Sequence, residues 1–169
     1  MTTRLRRATV DDEAAIWAIL RDAIERRRRD GSRQWQDGYP NPAVVAADVA
    51  RGVGFVLVDA DDVVVGYVAC IVDDEPAYAQ IDGAWLGGGS FLVFHRVAVA
   101  STQLGRGLAA ALLAHVEQLA RDVDVDSVRA DTNFDNGAML HLFAKCGYAY
   151  CGEISLRGSP RRAYEKRLR

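Results

Sequence analysis

The segment STQLGRGLA, residues 101–109, brackets one arginine with two glycines at the mouth of an alanine- and leucine-rich stretch. The chemistry open to such a turn is anion binding. The first N–H groups of a helix have no partner within it, and the helix dipole adds about half a positive charge there. Glycines let the backbone approach closely, so Leu104, Gly105, Arg106, Gly107, Leu108 and Ala109 would offer a fan of donors to a phosphate. A dinucleotide fingerprint is excluded because position 110 is alanine, and a triphosphate loop because no lysine and hydroxyl follow the glycines. The same spacing also suits a plain strand-to-helix turn. A candidate base precedes it. His95 stands in the apolar run Phe91–Ala100, and an imidazole accepts a proton near neutral pH. Strand alternation predicts that His95 and Val97 share a face and that Arg96 points to the other. The alternative is a strand histidine satisfied by a hydrogen bond.

Other reactive side chains are scattered. Gln34, Trp35, Asp37 and Tyr39 cluster in the loop GSRQWQDGYPN, where they either pin the loop or shape a small-molecule pocket. Asp131 closes a strand beside Thr132, in a turn-forming role or facing a bound substrate. Asn136 opens a helix as its cap. His115 sits within the long helix as a surface or interhelical residue. Cys70, Cys146 and Cys151 include no CxxC and cannot form an even disulfide framework; with three histidines, no metal site is expected. Cys146 reads as a buried small hydrophobe.

These groups must be positioned by one domain spanning residues 1–169, since 169 residues that are 50% hydrophobic suit a single core. A net charge of -2 gives no electrostatic case for nucleic acid or an anionic membrane. The run Arg26–Arg29 closes an amphipathic helix and reads as a solvated helix end. The opening MTTRLRR leads into charged sequence rather than a secretory core, and no apolar run has the length of a membrane span. The expectation is a cytoplasmic, reduced protein; oligomeric state is open, a homodimer included.

Along the chain, strands and helices alternate. Arg4–Ala8 is a first strand, and Thr9 with Asp12 forms a capping box before the apolar face Ile16, Ile19, Leu20, Ala23 and Ile24. Asn41 and Pro42 open a second helix that stops near Gly52. GFVLVDA and VVVGYVACIVD make a hairpin. DDEPAYAQIDGAWLGGGS is irregular. The central strand and long helix follow, then the strand SVRADT, a helix from about Asn136 to Lys145 stopped by Gly147, and the strands YAYCGEISL and RAYEKRL. The predicted class is α/β (α+β): a mixed, mostly antiparallel central sheet of about seven strands with helices on both faces.

With LGRGLA after HRVAV, and NGAMLHLFAKCGY at residues 136–148, this order of elements resembles the GNAT superfamily of acetyl-coenzyme A-dependent N-acetyltransferases across nearly the whole chain. The stretches DTNFDNGAM and GYAYCG are similar to those of small bacterial members. In the family's loop pattern Q/R-x-x-G-x-G/A, Leu104 stands in the first position, while Gly107 and Ala109 match the last two. The resemblance implies acetyl-coenzyme A as co-substrate, no metal, and a small-molecule or peptide amine as acceptor. It implies that Val97, Ala98 and Val99 line the acetyl group, with a backbone N–H near Val97 stabilising the developing oxyanion, a contribution of roughly 3–4 kcal/mol. It places Asn136 and Phe143 at the coenzyme's arm and Gln34, Trp35, Tyr39 and Asp131 toward the acceptor. His95 would be the base. Many members carry a tyrosine acid where this chain has Phe143, so the acid is unassigned. A coenzyme A-binding module without turnover is the alternative function.

Overall fold

The computed structural model describes residues 1–169. The strands are β1 (Arg4–Arg7), β2 (Gly54–Val58), β3 (Val64–Val72), β4 (Asp82–Gly83), β5 (Phe91–Val99), β6 (Ser127–Thr132), β7 (Ala149–Leu156) and β8 (Ser159–Arg167). The α-helices are α1 (Glu13–Arg29), α2 (Pro42–Arg51), α3 (Leu108–Asp122) and α4 (Gly137–Lys145). Strand order in the sheet is β1-β2-β3-β5-β6-β8-β7-β4. The expected class is the observed one, with eight strands rather than about seven. The added strand, β4, is only two residues long and lies in the segment that reads as irregular. It pairs with β7 at Gly83 and Gly152, where a Cβ on either glycine would strike the opposite strand's carbonyl. No helix is long and apolar enough to cross a membrane.

The chain clusters into two compact units, Met1–Cys70 with Arg96–His115, and Ile71–His95 with Val116–Arg169. In the first unit β1, β2 and β3 pair antiparallel. Thr9 and Asp12 form their box, with the Thr9 amide donating to Asp12 Oδ2 at 2.8 Å. Arg6 grips the same carboxylate through both terminal nitrogens, at 2.7 and 2.9 Å. Helix α1 then buries Ile16, Ile19, Leu20 and Ala23, whose spacing puts them on one face, against Val56, Val58 and Tyr67. Each such aliphatic side chain contributes about 1.5–3 kcal/mol. The arginine run at its end is only half solvated: Arg28 and Arg29 are exposed and pair with Glu25, while Arg26 reaches the Val99 carbonyl at 3.5 Å. Helix α2 is capped by Asn41, which accepts from the Val44 amide at 3.1 Å, and stopped by Gly52.

In the second unit β5 runs parallel to β6 only from Phe91 to Val93, opposite Ser127 to Arg129. From Ala130 onward β6 pairs with β8 alone, so the two central strands part after three residues. A buried aromatic group fills this unit: Phe143 lies 4.6 Å from Tyr164 and 5.5 Å from Tyr148 between ring centroids, with Phe94 alongside. Tyr148 precedes β7 and is buried, while Tyr150 within β7 is exposed. Cys146 is half-buried rather than fully buried, and partial burial together with Glu117 raises its thiol pKa.

Candidate active site

The glycine turn lies in the first unit. A short 3-10 turn, Ser101–Gln103, follows β5, and Leu108 opens α3. Gly105 and Gly107 adopt φ of 77° and 76°, the left-handed region that glycine enters without strain. A Cβ at either position would meet nothing within 4 Å, so open space surrounds the turn. Leu104, Gly105, Arg106 and Gly107 are exposed, while Leu108 is buried and anchors the helix. The first ladder bond of α3 runs from the Ala111 amide to the Gly107 carbonyl at 3.0 Å. The amides of Leu108, Ala109 and Ala110 therefore precede the ladder with no acceptor inside the helix. No acidic side chain stands in residues 101–109. Nη1 of Arg26 and Oε1 of Gln103 are among the buried polar atoms of this unit that lack a partner. Burial, with Arg27 nearby, lowers the Arg26 pKa. Arg26 is half-buried and already donates to the Val99 carbonyl, so its Nη1 is one donor left over for an anion or a water. These residues fit a coenzyme pyrophosphate.

Before the turn, β5 departs from simple alternation. Arg96 has φ of 58°, left-handed for a non-glycine residue inside a strand. This overturns the expectation that His95 and Val97 share a face by period two, because a left-handed residue between them breaks the period. Arg96 is held by a fork to Asp48, at 2.9 and 2.7 Å, and by the Tyr39 hydroxyl. Asp48 is buried and also accepts from the Tyr67 hydroxyl at 2.6 Å. Beyond Arg96, Val97 is half-buried and Ala98 and Val99 are buried. The candidate acceptor loop in the same unit is already engaged. Gln34 is buried, Trp35 packs against the α1 core, and Tyr39 is bound to Arg96.

The second unit holds His95, and with it a partner that the sequence did not disclose. His95 Nε2 lies 2.9 Å from Glu75 Oε2, with side-chain exposures of 14% and 13%. Asp131 is engaged by Tyr78, whose hydroxyl donates to Oδ2 at 2.7 Å, and by Arg161 at 3.3 Å to Oδ1. Burial first, then Asp131, pushes the Tyr78 pKa well up, so this phenol stays protonated. Asn136 caps α4, accepting from the Met139 amide at 3.2 Å. Phe143, expected beside the coenzyme, has no exposed surface at all, and its side chain belongs to the aromatic core. Glu75 and Tyr78 come from the irregular segment EPAY, where no periodicity points to a partner. No group of three or more His, Cys, Asp or Glu is placed to hold a metal.

Beside the glycine turn and the histidine–carboxylate pair stands a decisive match: residues 14–148 fit the acetyltransferase (GNAT) family. The chain belongs to that family. Its structure is similar to that of a GNAT-family acetyltransferase from Streptococcus agalactiae, 33% identical, with a TM-score of 0.90 over 99% of this chain and 96% of that one. A GNAT-family acetyltransferase from Listeria monocytogenes is 18% identical, with a TM-score of 0.77 over 98% and 95%. Arabidopsis thaliana NAA60, solved in complex with a bisubstrate analogue, is 16% identical, with a TM-score of 0.69 over 98% of each chain. The last two share the GNAT fold. No curated protein matches this sequence. GNAT enzymes draw their acetyl group from acetyl-coenzyme A, and the match over residues 14–148 includes the turn at 101–109.

Proposed function

We propose that the chain moves acetyl from acetyl-coenzyme A to a primary amine of a small molecule or peptide, by direct attack while both are bound. The observation that carries this reading is the His95–Glu75 pair, a nearly buried imidazole with a carboxylate at 2.9 Å. An alkyl amine arrives mainly as ammonium, because its pKa is near 10.4, and it must lose a proton before it is nucleophilic. With Nε2–H donating to Glu75, the Nδ1 lone pair of His95 is left to take that proton, directly or through a water. Glu75 then faces an imidazolium and stabilises it. The bound coenzyme supplies an acetyl group activated as its thioester. The amine nitrogen bonds to the acetyl carbon, the carbon–sulfur bond breaks, and sulfur leaves with the bonding electrons as a thiolate. The tetrahedral nitrogen gives up its second proton to solvent or to the departing thiolate, which leaves a neutral amide, and the first proton stays on His95 until solvent removes it.

The amides of residues 104–109 would hold the pyrophosphate, and the backbone near Val97 would face the acetyl oxygen. Asn136 would add a contact to the coenzyme's arm beside its capping role. No tyrosine is assigned as acid; a thiol with a pKa near 8.5 leaves tolerably as the anion. Phe143 no longer argues for a module without turnover, since a hydroxyl at that wholly buried position would itself be buried. The test is incubation with acetyl-coenzyme A and a broad amine panel, reading free thiol and acetylated product. Product from at least one amine supports the enzyme. Coenzyme binding without product from any amine supports the module.

A further inference from the structure

Resting on that acetyltransferase reading, we propose that the acceptor binds in the second unit's cavity beside Glu75, and that it is a cationic amine on a flat apolar body, without a carboxylate. The cavity measures about 450 Å³. That volume suits a small organic molecule. Its walls include Asp73, Asp74, Glu75, Trp85, Phe91 and Arg129. Glu75 lines this cavity and also holds His95 through Nε2, so an ammonium drawn to this carboxylate is one side chain away from the candidate base.

The charges of the wall decide the class of ligand. Arg129 is its one cation, and that charge is matched within the protein. Its Nε donates to Glu165 Oε1 at 2.9 Å, its Nη2 donates to the Gly87 carbonyl at 2.8 Å, and Glu165 is fully buried. The guanidinium also stacks 4.4 Å from the Trp85 ring centroid and 4.1 Å from that of Phe91, which fixes both rings. Trp85 is further tied by its indole N–H to the Tyr78 carbonyl at 2.9 Å. Arg129 is thus spent on building the wall. Asp73 and Asp74 are exposed and take part in no ion pair, Asp73 using one oxygen to accept from the Phe91 amide at 2.7 Å. What remains is an aromatic wall rimmed by carboxylates. It attracts an ammonium and offers π faces to it, while an amino acid would bring its own carboxylate against Asp73, Asp74 and Glu75.

Matched pairs test this directly: phenethylamine against phenylalanine, and tyramine against tyrosine. Each is titrated calorimetrically into the protein and assayed with acetyl-coenzyme A. Each amine should bind, and should exceed its amino acid at least tenfold in kcat/KM. The double variant Asp73→Asn/Asp74→Asn, exposed and isosteric, should narrow that gap, and Trp85→Ala should weaken amine binding tenfold or more. Amine binding that the variants weaken, without any acetyl transfer, would sustain the pocket and sink the acetyltransferase reading. Transfer with no preference for the amines, or with amine binding unchanged in the folded Asn variants, would overturn the pocket and leave the transfer reading standing. Absence of both binding and transfer for all four compounds would also overturn the pocket.

Discussion

Replacing Glu75 by glutamine removes a charge while keeping an acceptor for His95 Nε2. Its effect follows from the pair's geometry. At 2.9 Å, with side-chain exposures of 14% and 13%, the contact is too sheltered to be treated as a surface ion pair, for which about 0–1 kcal/mol would be the limit. A hydrogen bond to a charged group contributes about 1.5–3 kcal/mol. If that stabilisation is realised when His95 takes the amine proton, its loss lowers kcat by roughly 10- to 150-fold, at 1.36 kcal/mol per decade. His95→Ala, which removes the base itself, should lower kcat by roughly 100-fold or more. The assay is steady-state thiol release with the best amine of the panel, varying each substrate separately. In Glu75→Gln, KM for acetyl-coenzyme A should stay within about twofold, because the anion-binding residues lie elsewhere in the chain. Glu75→Asp keeps the charge on a shorter arm and should recover part of the loss. Full kcat in Glu75→Gln, with kcat lost in His95→Ala, would make the carboxylate structural. Full kcat in both variants would remove His95 from the chemistry.

Three further perturbations read other parts of the molecule. Gly107→Glu adds a Cβ at φ 76° and a negative charge where phosphates should sit, so calorimetry should find coenzyme binding largely abolished while far-UV circular dichroism is retained; unchanged affinity would take the turn out of the site. Asp48→Ala leaves Arg96 buried without its fork and the Tyr67 hydroxyl without its acceptor, and should lower the stability measured by urea unfolding by about 3–5 kcal/mol. Hydrogen bonds from Arg6 hold the Asp12 carboxyl at a pKa of about 2, below its ordinary 3.8. A carboxyl depressed by folding stabilises the protein above its unfolded pKa and loses that contribution as pH falls through the folded value. About 1–2 kcal/mol, discounted for a partly exposed Arg6, should therefore disappear between about pH 5 and pH 2, and Asp12→Asn should flatten that slope in a urea midpoint series.

The parts of this protein that were legible in its sequence are those written in local chemistry. Asn41 and Gly52 bound α2 because a cap needs a side-chain acceptor and a stop needs a left-handed residue. The face of α1 follows from spacing, and the glycine turn from its position between an apolar strand and a helix. What was not legible depends on residues far apart in the chain. Glu75 reaches His95 across twenty positions from a segment with no period, and the Asp131 carboxylate is claimed by Tyr78 and Arg161, 53 and 30 positions away. Strand β4 exists because two glycines allow a close approach, which two residues of sequence cannot announce.

Arg96 joins these two kinds of information. A left-handed residue inside a strand costs roughly 1–3 kcal/mol, and glycine would take the conformation more readily. This chain puts an arginine there and ties it with a bidentate fork to buried Asp48 and a further bond to Tyr39. The side chain is what glycine lacks: it fastens the left-handed turn of β5 to α2 and to the loop before it, within one unit. The residues after it, Val97 to Val99, are those whose backbone the family resemblance directs at the acetyl oxygen, and oxyanion donors stabilise charge only when their direction is fixed in advance. Tyr39 and Asp48 thus hold the backbone at Arg96, immediately before those residues. In the same loop Gln34 is buried and Trp35 packs against the α1 core, while Gln36, Asp37 and Gly38 are exposed, so the loop is fastened at its two ends.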